Sequence, residues 1–162
     1  MTLDEPLLAR LAEWQPAGAG PHTCQNALAT PGWTLSLTAE RAETLGCLVT
    51  ELTVRRRPAE QPVGAAALTQ WAVRTVQRVT GLLEPLKLIE VDVTRSEALL
   101  RSERPAVRGE TVQYYELLLR GEHAATLRRY QAPRTGPGKR SAVPFALTHE
   151  AIAKLAADLT AE

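Results

Sequence analysis

The sequence predicts an α+β domain built around a mostly antiparallel sheet, and three observations carry that prediction. Several short runs alternate apolar with polar residues, which is the period of a half-buried strand. Those runs follow one another along the chain without an intervening helix, so they pair as antiparallel neighbours and not as a parallel doubly wound sheet. Three other segments repeat apolar residues every three or four positions, the period of a helix with one buried face.

The first element is a short helix over residues 4–14, capped by Asp4, with Pro6 tolerated in the first turn. Leu7, Leu8, Leu11 and Trp14 form its apolar stripe. Pro16, Gly18, Gly20 and Pro21 break the pattern, and residues 15–32 read as a long loop. From Trp33 the run WTLSLTAER alternates, with Trp33, Leu35, Leu37 and Ala39 on one face. A turn containing Gly46 leads into CLVTELTVRRR, where Leu48, Thr50, Leu52 and Val54 are expected to share a face. So short a link makes the two runs an antiparallel hairpin.

The longest helix is predicted from Ala65 to Leu86, ended by Pro85, because the residue before a proline avoids the helical region. LKLIEVDVTR then alternates, with Ile89, Val91 and Val93 expected inward, and Ser96–Arg104 returns beside it. The tripeptide Arg-Gly-Glu occurs twice, at Arg108–Glu110 and Arg120–Glu122. Each copy falls where alternation stops, and each glycine can supply the positive φ of a tight turn. The repeat therefore marks two turns bounding the strand TVQYYELLL. AATLRRYQA is its partner, ended by Pro133. Residues 133–143 read as a loop rich in proline and glycine, and FALT leads into a last helix capped by Thr148.

The expected order is thus α-β-β-α-β-β-β-β-α, with about six strands and a long helix covering the sheet. A chain of 162 residues suits a single domain, 1–162, large enough to bury a core without metal or disulfide. Apolar residues make up 44% and charged residues 23%, which places the chain among soluble globular domains. The formal net charge is +1, so bulk charge selects neither a nucleic acid nor a membrane surface. The N-terminal stretch lacks the basic and apolar regions of a signal peptide, and no run is long enough to span a bilayer. Cys24 and Cys47 are read as reduced thiols, with Cys47 half-buried in a strand. The expected location is cytoplasmic.

Catalytic patterns fail on inspection. Gly138-Lys139 lacks the first glycine of a phosphate loop, because that position is Pro133, and Arg140 stands where a hydroxyl is needed. His149-Glu150 opens like a zinc-protease helix, but the second histidine position is Ala153. His22 and Cys24 lie two apart on a loop, a poor frame for a nucleophile and its base. The expectation is therefore a protein without catalytic activity, cofactor or metal.

Two binding readings remain. The first is a protein–protein interaction domain, of adaptor or chaperone kind, that meets another protein or a second copy of itself through an exposed sheet face. Its candidate residues are Tyr114, Glu116, Arg128 and Tyr130 on the central hairpin, with Lys139 and Arg140 of the basic loop as a second candidate. Tyr and Arg together are favoured at interfaces. The second reading is RNA or single-stranded nucleic acid, held by the basic runs VRRRP at 54–58 and LRRYQ at 127–131 and by the basic loop, with Tyr114, Tyr115 and Tyr130 as stacking faces and Arg128 and Arg129 as phosphate contacts. The element order is broadly similar to that of small α+β secretion chaperones. That resemblance implies a dimer binding an extended client on its sheet.

Overall fold

The structure is a computed structural model and describes residues 2–162. Helix α1 spans Glu5–Glu13, α2 Ala65–Arg78 and α3 His149–Thr160. The strands are β1 His22–Ala27, β2 Thr34–Ala42, β3 Gly46–Arg55, β4 Leu86–Asp92, β5 Glu97–Ser102, β6 Ala106–Arg108, β7 Thr111–Arg120, β8 Ala124–Pro133, β9 Ser141–Val143 and β10 Phe145–Thr148. All belong to one antiparallel sheet with the order β1-β2-β3-β8-β7-β5-β4. The α+β class and the antiparallel sheet stand, with more strands than the six read from the sequence.

The three short strands fill gaps in the main order. β6 pairs with the start of β7. β3 and β8 pair only from Leu52 and Leu127 to Arg55 and Ala124, and then diverge. Into that fork run β9, against β8, and β10, against β3. Pro144 separates the two, where a residue without an N–H loses nothing by changing partner strand.

All three helices lie on one face. Leu7 and Leu11 of α1, Leu68, Trp71 and Ala72 of α2, and Ile152, Leu155 and Leu159 of α3 share a single core with alternate residues of β2, β3, β5, β7 and β8. The indole N–H of Trp71 donates to the Leu159 carbonyl at 3.2 Å and ties α2 to α3. The caps work as the sequence suggests. Asp4 accepts from the Leu7 N–H and Thr148 from the Ala151 N–H, each at 3.0 Å. The second Asp4 oxygen accepts from the Ala29 N–H at 2.7 Å, which anchors α1 to the loop after β1.

Several sequence expectations are corrected. The stretch 15–32 is not all loop, because it holds β1. That strand's alternation is of polar residues with half-buried His22, Cys24 and Asn26, so no apolar signal marks it. The stretch 133–143 likewise ends in β9, residues 104–110, read from the sequence as a turn, contain β6, and FALT forms β10. Helix α2 stops at Arg78, eight residues short of Leu86. Thr80-Gly81 follows it, and Lys154 Nζ donates to the Arg78 carbonyl and to Thr80 Oγ1, so the helix end is satisfied by α3. Leu82, Leu83 and Leu86 continue the helical spacing by coincidence.

Two strand faces are also reassigned, each by a bulge, which shifts the alternation by one residue. In β3 the register breaks opposite Ala39, so Cys47 and Val49 share the core side with Leu52 and Val54, while Leu48 and Thr50 do not. Cys47 is accordingly buried, not half-buried. In β4 the register breaks at Ile89. Leu86, Leu88 and Val91 therefore pack on the core, and Ile89 and Val93 are exposed.

Candidate protein-binding site

The side of the sheet opposite the helices carries no covering element among the described residues. Strand alternation decides what it displays. Tyr115, Leu117 and Leu119 of β7 point into the core, so Tyr114, Glu116, Leu118 and Arg120 point out. Ala125, Leu127 and Arg129 of β8 point in, so Thr126, Arg128 and Tyr130 point out. Register then sets neighbours: Tyr114 stands opposite Tyr130, and Glu116 opposite Arg128 on one side and Arg101 on the other.

The outward side chains form an organised cluster. The rings of Tyr114 and Tyr130 are 6.0 Å apart and tilted by 35°. The Arg101 guanidinium lies 5.6 Å from the Tyr114 ring, and that of Arg140 lies 3.9 Å from the Tyr130 ring. Glu116 joins the two ends. It accepts from Arg101 Nε at 3.0 Å and from both terminal nitrogens of Arg140. Arg128 donates to Glu51 of β3 through Nε at 2.9 Å and Nη2 at 2.5 Å. Its guanidinium is held more firmly in the charged form by hydrogen bonds to Tyr130 and Glu51, and that of Arg140 by its bond to Glu116.

Five of the six candidate residues, Tyr114, Glu116, Arg128, Tyr130 and Arg140, are thus brought onto one face. Lys139 is exposed in the preceding loop and is not joined to the cluster. Arg129, which the nucleic-acid reading used, faces the core instead. It donates to Glu84 at 2.9 and 3.3 Å, and lies 4.3 Å from the Tyr115 ring. Glu84 also accepts from Ser102 Oγ, which in turn accepts from the Tyr115 N–H.

Next to the cluster is a depression of about 470 Å³ along the outer side of β8 and β3. Glu51, Arg55, Arg56, Arg120, His123 and Arg128 line it, together with Thr126, Leu118 and Tyr130. The protein-binding reading did not include Glu51, Arg55, Arg101 and Arg120; Arg55 stood only in the basic run assigned to nucleic acid. Opposite charges on strands that could pair were the available signal, but only the register shows which of them meet.

Side chains with catalytic potential are placed otherwise. Burial pushes the Cys47 thiol up to about 11 and also raises that of Cys24, so neither is a ready thiolate. Both cysteines are free. The His22 ring bonds the Gly18 carbonyl at 3.2 Å, and Cys24 accepts from Asn26, so the two do not form a nucleophile–base pair. Among the described residues, no three His, Cys, Asp or Glu side chains are grouped to hold a metal. Among them also, no helix is long and apolar enough to cross a membrane.

Comparison with protein-family models, curated proteins and solved structures finds no match for this chain. The likeness to secretion chaperones, drawn from the expected element order, gains no support: the observed order has three strands before α2 and seven after it.

Proposed function

We propose that this protein acts by binding another protein through the outer face of its sheet, in the manner of an adaptor or chaperone. The observation that carries the reading is the one-sided architecture. Every helix covers the same face, and the uncovered face presents the Tyr114–Tyr130 pair between two arginines, beside a depression. Aromatic and Arg side chains held in place lose little freedom on binding, which favours them as interface anchors.

Site-specific photo-crosslinking tests this. A photoreactive residue replacing Leu118, on the outer face, should capture a discrete protein. The same residue replacing Val73, exposed on α2, should not. Equal capture from both positions, or none from Leu118, would remove the reading.

Self-association is a second form of the same reading, and β1 favours it. The β4 edge of the sheet is guarded by Lys87 and a bulge, devices that block strand addition. The β1 edge has no charged residue and no bulge, and β1 pairs only with β2. A β1-to-β1 dimer should be seen by light scattering and should be lost in Gln25→Lys. A monomer at all concentrations would eliminate it.

A further inference from the structure

We infer that the segment recognised by the outer face is acidic and extended, with an apolar or aromatic side chain at one end. This rests on the reading of that face as a protein-binding surface and names the chemistry of its partner.

Charge is the first argument. The depression is lined by Arg55, Arg56, Arg120 and Arg128 against two carboxylates, in a chain whose charges almost cancel. Both carboxylates are already neutralised: Glu51 holds Arg128, and Glu116 holds Arg101 and Arg140. Arg55 has no carboxylate within ion-pair distance among the described residues. Arg120 is exposed and pairs with half-buried Glu97 at 3.3 Å, a contact that solvent partly screens. Arg56 is held over the core Trp33 ring at 4.8 Å, donates to the Glu122 carbonyl at 2.9 Å and pairs with Glu162 at 3.4 Å, so it adds little free charge. The Arg55 end of the depression therefore has positive charge left for a ligand.

Shape and backbone chemistry give the second argument. β3, β7 and β8 are interior strands of the sheet, so their backbone hydrogen bonds are taken up by neighbours and no strand can be added there. Recognition must come from side chains. From Ala124 to Tyr130 the floor runs along β8 for about 20 Å, enough for an extended segment of about six residues. Arg55 and Arg120 lie at the Ala124 end, and the tyrosine pair lies at the other. A segment with carboxylates at one end and an apolar side chain at the other satisfies both.

A nucleic acid fits less well. Its phosphates would pass Glu51 and Glu116 along the floor.

The test is to pan a display library of random peptides of about ten residues against the full chain. Enriched sequences are then resynthesised with a fluorescent label and measured by anisotropy. The inference expects enriched peptides rich in Asp and Glu. Their affinity should fall about tenfold or more in Arg55→Glu/Arg120→Glu and in the milder Arg55→Gln/Arg120→Gln, and less than about twofold in Arg104→Glu, outside the depression. Circular dichroism checks that each variant is folded. Enriched peptides without acidic residues that still compete at Leu118 would overturn the acidic partner and leave the face as a protein-binding surface. Tighter binding of an oligothymidylate of about twelve nucleotides than of any acidic peptide would overturn it in favour of nucleic acid. Failure to enrich any peptide sensitive to outer-face substitutions would overturn both.

Discussion

Arg129 and Arg128 are neighbours in sequence and opposites in role. Arg128 is exposed and pairs with Glu51 in solvent, so its ion pair adds little to stability. Arg129 is 2% exposed and its partner Glu84 is nearly as enclosed. Removing one member of such a pair strands a buried charge. Arg129→Met should therefore cost about 3–5 kcal/mol in urea unfolding, and adding Glu84→Met should recover much of that loss. Arg128→Met should shift the midpoint far less. His149 supplies a pH-dependent counterpart. It is buried at the start of α3, its backbone N–H donates to the Leu45 carbonyl, and its ring Nε2 has no partner among the described residues. Burial pushes its pKa below the ordinary 6.5, opposed by a hydrogen bond to the Glu43 backbone. The unfolded chain then takes up a proton that the folded chain resists. Its contribution to stability is complete above the ordinary value and is lost as pH falls through the folded one. Thermal melts from about pH 7.5 to about pH 5 should show a declining midpoint, with a shallower slope in His149→Met.

At the scale of elements, bulges and strand partners decide what residue patterns leave open. A strand inferred from alternation is sound where the alternation is unbroken, as in β2 and β7. The two Arg-Gly-Glu triplets frame β7 as turns, with Gly109 at φ 61° and Gly121 at φ 49°. Alternation misleads where one residue is inserted, and β3 and β4 each present the wrong set of side chains when read without their bulges. β10 reaches β3 through a close approach at Gly46, where a Cβ would stand 2.6 Å from the Leu147 carbonyl oxygen. Gly46→Ala should force those two backbones apart. It should lower stability by more than about 1 kcal/mol in chemical denaturation, more than an ordinary exposed glycine change.

The whole molecule has one core, to which every helix and the central strands contribute. Its two halves cannot come apart without exposing shared surface, so equilibrium unfolding should be a single transition. Trp33 and Trp71 meet inside that core with rings 6.2 Å apart. Their fluorescence and the far-UV circular dichroism should trace the same curve in urea. Cys47 offers a third probe. Buried and with its thiol pushed up to about 11, it should react with a disulfide reagent at about pH 8 only as fast as the chain unfolds. Rapid labelling of Cys47 in the native protein would contradict the single core.

What the sequence determined alone was local: the α+β class, the capped helices at both ends, the hairpin after Trp33, and the strand framed by the two Arg-Gly-Glu turns. Each follows from residues within a few positions of one another, where periodicity, caps and turn chemistry act. Most of the candidate face was legible as well, since Tyr114, Glu116, Arg128 and Tyr130 share one parity on two strands joined by a tight turn. Arg101, Glu51 and Arg55 were not legible, because their places beside those residues depend on which strands pair and in what register. β1, β6 and β9 were hidden for a related reason. They carry little apolar signal of their own and are held as strands by backbone pairing with distant neighbours. Only the tertiary structure decided that all three helices cover one face, because helix placement follows from where the shared core lies, and so left the other face uncovered.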